Sequence, residues 1–397
     1  MTGSLSRPEI MFVTLSLDRG GTERHLASIL PGLAAAGWPV SIYCLASAGE
    51  LAPAVARAGV NVIAPPLGGA SAQNGAARAM RFFFSGLKLG RIFLMRKPGI
   101  VHFFLPAPYL IGAPLAILFR RPFLIMSRRS LNYYQDNHLL AARAERWLHR
   151  RMTAVLGNSK KVVVELVDEE GCDPEKVGLI YNGIDASLFR DPEAQGVIRE
   201  RLGLQDAKFV ACVIANLLPY KGHADLIHAL GQVKDRLPQP FIVLCAGRDQ
   251  GCESDLTKLA GELGLSQNIR FLGGRPDVPA ILKASDIAIL CSHEEGFSNA
   301  VIESMAAGLP SVVTDVGGNA EAVRDKIDGL VVPSKCPSAL GQAILELALD
   351  PVRRSEMAAS ASQRAGELYS LDACVSNYQH IYQSIMESGT IRPRHRF

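Results

Sequence analysis

The chain has 397 residues, 48% of them hydrophobic and 20% charged, and its 42 Lys and Arg against 38 Asp and Glu leave a net charge of +4. This length suits two domains of ordinary size with apolar material for two cores, and the balance excludes a disordered chain. So mild a cationic excess does not argue for nucleic acid; it suits an anionic small ligand or an anionic membrane surface.

The eight cysteines are scattered, no Cys-x-x-Cys pair occurs, and Cys212, Cys245 and Cys291 stand in apolar strand-like runs. They read as reduced core thiols of a cytosolic protein, not as disulfides or a zinc site. The nine histidines show no His-x-x-x-His spacing. No signal peptide is visible at the start. The longest apolar region, Val101 to Phe119, carries His102 and three prolines, which argues against a transmembrane helix.

Glu9 to Leu15 reads as the first strand of an open parallel sheet, followed by Gly20-Gly21 and a helix from Leu26 to Ala36 that Gly37 closes. A glycine pair between a first strand and a first helix lets backbone amides approach a ligand closely. Strands from Val40 to Leu45 and from Asn61 are joined by a helix, Leu51 to Ala58, in a right-handed crossover. The segment from Arg78 to Lys97 is apolar and cationic with no acid. It is either a basic amphipathic helix lying on an anionic membrane or a crossover helix packed on the sheet with its cations in water. Gly86 and Gly90 weigh against one long helix there. A buried strand, Ile100 to Leu105, carries His102. The strand Pro122 to Met126 runs into Arg128 and Arg129, a pair suited to clamping a phosphate or an acidic acceptor, or to standing in water. A helix from Leu139 to Arg151 and strands at Ala154 and Val177 complete a first domain, residues 1–190.

A second α/β series, 191–370, opens with the strand Phe209 to Ala215 and the loop Asn216-Leu-Leu-Pro-Tyr-Lys-Gly-His223. Lys221 sits just before a helix start, where its ammonium adds to the amide dipoles, a good site for a diphosphate. Arg248 follows the strand Phe241 to Gly247, and Arg275 follows the strand from Ile269. The apolar run Ile287 to Cys291 is broken by His293, Glu294, Glu295 and Gly296, and Phe297-Ser298-Asn299 then leads into a helix through Val301, Ile302 and Met305. Ser298 or Asn299 can cap it, Gly308 supplies its left-handed C′ residue and Pro310 stops it. Glu303 lies on this mostly apolar helix. Burying a carboxylate is expensive without hydroxyls, amides or a cation nearby, and a sugar or a ribose offers hydroxyls. The strands Ser311 to Thr314 and Gly329 to Pro333 and two helices follow. A last helix, Leu371 to Glu387, and a basic tail form a third segment, 371–397.

The unit Glu295-Gly-Phe-x-x-x-x-x-Glu303-x-x-Ala-x-Gly-x-Pro310 resembles the E-x7-E signature of the GT4 family of retaining glycosyltransferases. The resemblance implies an α/β GT-B fold: two Rossmann-like, doubly wound parallel-sheet domains facing across a cleft, with the last helix crossing back to the first. It implies that Glu303 bonds the ribose of a nucleotide-sugar donor and Glu295 the hydroxyls of the transferred sugar. The backbone of Gly296, Phe297, Ser298 and Asn299 would hold that sugar and its phosphate. Gly20-Gly21-Thr-Glu-Arg24 is similar to the family's Gly-Gly-x-Glu-Arg loop, expected near the donor phosphate and the acceptor. Lys221 and Gly222 match the family's Lys-Gly, but Asn216 replaces its Arg, which Arg248 would partly offset. The segment ending in Arg275 falls beside the nucleotide base. The family's His-x-His becomes His102-x-Phe104, so His102 remains as the candidate catalytic histidine, and Arg128 and Arg129 as acceptor ligands.

What this implies is transfer of a sugar from a UDP- or GDP-sugar to a lipid-linked or polysaccharide acceptor. The site would be cytoplasmic, peripheral on the inner membrane face. No cofactor is expected, and no Asp-x-Asp implies a metal clamp. Two rivals stand beside it: a nucleotide-sugar epimerase of GT-B shape, and a non-catalytic nucleotide-sugar-binding subunit.

Overall fold

The computed structural model describes residues 7–18, 20–67, 75–135, 138–189 and 193–391. The first six residues and the basic tail at 392–397 lie outside them. The chain divides into two compact units, Met1–Gly183 with Leu371–Phe397, and Ile184–Ser370.

In the first unit the elements alternate: β1 (Ile10–Thr14), α1 (Gly21–Ala35), β2 (Val40–Cys44), α2 (Ala52–Arg57), β3 (Asn61–Ile63), α3 (Gly75–Arg96), β4 (Ile100–Phe104), α4 (Pro106–Leu118), β5 (Phe123–Arg128), α5 (Leu139–His149), β6 (Ala154–Gly157), α6 (Lys160–Val164) and β7 (Val177–Leu179). The strands form one sheet in the order β3-β2-β1-β4-β5-β6-β7, and every pairing is parallel. Helices cover both faces, so β1, β2 and β4 are buried at every position, which is why they read as unbroken apolar runs.

The second unit repeats the plan: α7 (Gln195–Arg201), β8 (Phe209–Ile214), α8 (His223–Val233), β9 (Phe241–Ala246), α9 (Glu253–Glu262), β10 (Ile269–Gly273), α10 (Val278–Ala284), β11 (Ile287–Leu290), α11 (Asn299–Ala306), β12 (Ser311–Thr314), α12 (Asn319–Ala322), β13 (Gly329–Val332), α13 (Pro337–Leu349) and α14 (Pro351–Leu368). Its six strands are also parallel, in the order β10-β9-β8-β11-β12-β13. The chain then returns to the first unit as α15 (Leu371–Ser388). There Tyr378, Ile381 and Tyr382 join Leu26 and Leu30 of α1 in one core layer. Leu89 and Phe93 of α3 and Tyr109 of α4 build the layer on the opposite sheet face.

Two elements differ from the sequence expectation. Helix α1 starts at Gly21, five residues early, with Glu23 in its first turn, where a carboxylate is favoured by the dipole. Helix α3 runs unbroken through Gly86 and Gly90. The missing side chain at Gly90 lets the Phe119 ring approach the helix, so tertiary packing offsets the poor helix propensity of glycine.

Candidate functional site

In each sheet the chain reverses its direction of growth once, between β1 and β4 and between β8 and β11. Loops leaving the carboxyl ends of such a strand pair diverge and open a crevice, where open α/β sheets bind ligands. In the second unit the loop after β8 carries Lys221 and the loop after β11 carries Glu295. Lys221 Nζ donates to Glu295 Oε1 at 2.6 Å, and Ser292 Oγ donates to the same oxygen at 2.8 Å. The two residues lie 74 positions apart in the chain.

Backbone geometry fixes that meeting. Gly222 caps the turn at φ +72°, and a side chain there would collide with the carbonyl oxygen of Cys291. The His293 amide donates to the Tyr220 carbonyl at 2.7 Å, and the Cys291 thiol donates to the Lys221 carbonyl at 3.3 Å. His293 Nε2 and Asp225 Oδ2, in the first turn of α8, lie 2.8 Å apart. A third loop, after β12, supports the second. Gly317 at φ +53° sits against the Glu295 carbonyl, where any side chain would clash, and the Gly318 amide donates to the Gly296 carbonyl at 2.8 Å. Phe297 is buried edge-on against Tyr369, ring centroids 5.4 Å apart, and anchors the turn.

Ser298 is the N-cap of α11, yet its hydroxyl makes no cap hydrogen bond, contrary to the capping expectation. Asn299 opens the helix, Val301, Ile302 and Met305 face the core, and Glu303 is half-buried on the same helix. The starts of α8 and α11, each with the partial positive charge of a helix N-terminus, therefore flank the Lys221–Glu295 pair.

Residues expected nearby fare differently. Asn216 Oδ1 accepts the Arg248 amide at 3.0 Å, joining the loops after β8 and β9. The Arg248 side chain is exposed and runs over Gly274. Arg275 lies in the loop after the edge strand β10, where its guanidinium donates to Asp277 at 2.7 and 2.6 Å. His223, which sequence reasoning did not single out, opens α8 directly after Lys221-Gly222. It is 3% exposed, and neither ring nitrogen has a hydrogen-bond partner among the described residues. Burial, with the Lys221 charge adding, pushes its pKa down to about 4, so the ring is neutral at neutral pH. An imidazole following Lys-Gly at a helix start is the signal that could have found it.

The corresponding place in the first unit is built otherwise. Gly21 is open, but the Glu23 carboxylate folds over Gly20, so a carboxylate stands where an approaching phosphate was expected. Burial raises the Glu23 pKa, Asp18 adds to the rise, and its own backbone amide and Arg129 oppose it. Arg129 is half-buried and hydrogen-bonded to Tyr378.

His102 is not positioned for catalysis. It is fully buried, Nδ1 is 2.8 Å from Tyr382 Oη, Nε2 is 2.8 Å from Ser127 Oγ, and its ring stacks on Phe12. Nδ1 ties α15 to the sheet and Nε2 ties β4 to its neighbour β5. Arg128 is not an acceptor ligand either. It is 2% exposed, and its Nη2 lies 2.7 Å from Glu145 Oε2 and 2.9 Å from Glu170 Oε2. His149 Nε2 also reaches Glu170 Oε2, at 2.9 Å, and Gln135 Nε2 donates to Glu145 Oε2 at 2.9 Å. Glu145, His149 and Glu170 have the mutual spacing of metal ligands. The Arg128 guanidinium bonded to both carboxylates already supplies their positive charge.

Residues 195–365 match the family model of glycosyl transferases group 1, and residues 19–188 match that of glycosyltransferase family 4. The chain is similar to a D-inositol 3-phosphate glycosyltransferase of Salinispora tropica, 27% identical over 94% of this chain and 83% of that protein. Among solved structures it is similar to Anabaena HepE in complex with UDP and glucose, with a TM-score of 0.82 and 22% identity over 95% of this chain and all of the other. Sucrose-phosphate synthase of Thermosynechococcus elongatus gives a TM-score of 0.80 at 18% identity over 96% of this chain and all of the other.

Proposed function

Starting from a chain that belongs to the GT4 family of glycosyltransferases, with the GT-B fold, we propose that it transfers a sugar from a uridine diphosphate sugar with retention of anomeric configuration. The observation that carries this reading is the Lys221–Glu295 pair between two helix N-termini at the β8/β11 reversal. Uridine is chosen over guanosine because the similar Anabaena structures hold UDP and UDP-glucose.

In the proposed reaction the bond from the anomeric carbon to the diphosphate oxygen breaks, and negative charge grows on the leaving diphosphate. Lys221 and the amides opening α8 and α11 stabilise that charge without reorganising, which is electrostatic preorganisation. The acceptor oxygen bonds to the same face of the anomeric carbon, and its proton passes to the departing phosphate oxygen. No protein base is required, in keeping with the burial of His102. As the donor phosphate draws the Lys221 ammonium, the Glu295 carboxylate turns to the sugar hydroxyls. Glu303 is assigned to the ribose. The neutral His223 ring offers a further hydrogen-bond donor to the phosphates. Residues Gly296 to Asn299 are assigned to the sugar and its phosphate, and Arg129 to the acceptor.

The acceptor is proposed as a lipid-linked or polysaccharide glycan precursor, used on the cytoplasmic membrane face. The name of the Salinispora relative favours a second reading, in which the acceptor is a phosphorylated inositol. The test is a thermal-shift screen of UDP-, GDP- and ADP-sugars, followed by release of UDP with each acceptor class. A ligand that binds the folded state raises the melting temperature by mass action. Stabilisation by UDP-sugars and acceptor-dependent UDP release are expected. An epimerised sugar nucleotide formed with no acceptor present would overturn the transferase reading.

A further inference from the structure

Helix α3 is apolar on two faces. Its inner face, with Leu89 and Phe93, packs into the first unit's core. Its outer face carries Met80, Phe83, Phe84, Leu87, Leu94 and Met95, all exposed, with Phe83 at 63%, Leu87 at 56% and Met95 at 67%. Their spacing of three, four and seven makes one continuous stripe along the helix. A soluble helix ordinarily turns such a stripe inward, and contiguous exposed apolar surface marks an interaction site. Phe83 and Phe84 lie edge to face in this stripe, centroids 5.6 Å apart.

The charge on the helix has one sign, although Arg96 is paired with Glu9 from outside it. No Asp or Glu occurs between Glu50 and Asp136, and α3 itself contributes Arg78, Arg81, Lys88, Arg91 and Arg96. A second copy of the chain is a poor occupant. A two-fold axis would set Arg78, Arg81, Lys88 and Arg91 against their own images with no acid on the helix to pair them. An anionic bilayer complements both features at once: acyl chains accept the aromatic stripe and headgroups accept the cations. No helix among the described residues is long and apolar enough to cross a membrane, so α3 would lie along the surface.

We propose that the outer face of α3 is a docking surface for a lipid bilayer bearing anionic headgroups. This names the surface for the membrane side of the function above and rests on that reading only for the acceptor. Vesicle binding is measured with no sugar nucleotide present, so the docking surface and the glycosyl-transfer reading fail separately.

The experiment is flotation of the full chain with vesicles of phosphatidylglycerol and phosphatidylcholine, compared with pure phosphatidylcholine, at low and high salt. Wild type should partition about 10-fold or more in favour of the anionic vesicles, with salt reducing the difference. The combined change Phe83→Ser, Phe84→Ser, Leu87→Ser should reduce binding about 10-fold, because each loses apolar area that inserts. A second variant, Arg78→Gln, Lys88→Gln, Arg91→Gln, removes three charges, keeps every apolar residue of the stripe and should lose anionic preference. Both should keep the wild-type melting temperature. Equal binding to both vesicle types, or full binding by either variant, overturns the proposal. So does a wild-type dimer in sedimentation that the serine variant converts to monomer.

Discussion

The two strand-order reversals share a topology and differ in what fills them. Between β8 and β11, glycines bring three loops close enough to lock their backbones, and the side chains left over are a lysine, a carboxylate and a buried histidine. Between β1 and β4 the interior is consolidated: His25 and His102 are buried and bonded to Tyr378 and Tyr382 of α15. The fold supplies a crevice at both places, but chemistry follows only where polar groups are left available to a ligand. In the first unit the returning helix takes one nitrogen of each of these histidines, Ser127 takes the second of His102, and only His25 Nδ1 has no partner among the described residues.

Five changes break or sharpen that contrast, taken from the largest expected effect down. Arg128→Ala would leave Glu145 and Glu170 buried without their cation, and urea unfolding should show a loss of about 3–5 kcal/mol. A variant that kept full stability and lost only acceptor affinity would restore Arg128 to ligand binding. Lys221→Met should slow transfer about 10²–10³-fold, about 3–4 kcal/mol of barrier, as for removal of one preorganised charge donor. Its unfolding free energy should fall by about 1–3 kcal/mol, because the pair is mostly buried and Glu295 keeps only the Ser292 hydroxyl once its cation is gone.

The third test is pH. Burial holds His25, His102 and His223 below the ordinary histidine range, His223 at about 4 against 6.5. As pH falls below about 6.5 the unfolded chain takes up protons that the folded chain refuses. Stability should therefore be full above 6.5 and decline toward pH 4, with His223 alone contributing about 3 kcal/mol to the loss. A flat profile across that window would show these rings to be solvated. Next, Tyr382→Phe removes the hydroxyl at His102 Nδ1 and leaves a buried nitrogen unpaired, costing about 1–3 kcal/mol with the donor affinity unchanged. Smallest is Arg275→Ala. It removes an exposed ion pair with Asp277 and should change stability by less than about 0.5 kcal/mol and donor binding by less than about twofold.

Much of this was legible in the chain. The apolar runs at Ile10, Ile100 and Ile287 are unbroken because their strands are covered on both faces, and the E-x7-E spacing places Glu295 in a loop and Glu303 on the helix after it. What stayed hidden was long-range pairing. Nothing near Arg128 announces Glu145 or Glu170, and nothing near His102 announces Tyr382, 280 residues later. His223 was hidden for the opposite reason. Its distinction is a lack of partners, which burial creates and a local pattern cannot show. The glycines of α3 misled because propensity is local, whereas the close approach of Phe119 is tertiary.

The account stands on the Lys221–Glu295 crevice as the donor site, and calorimetric titration of UDP into wild type and Lys221→Met tests it most directly. Loss of one charge-assisted hydrogen bond to the diphosphate should weaken binding about 10-fold or more, measured at a temperature where both proteins are folded. Equal affinity in the two proteins would mean that the diphosphate binds elsewhere, and the central assignment would be wrong.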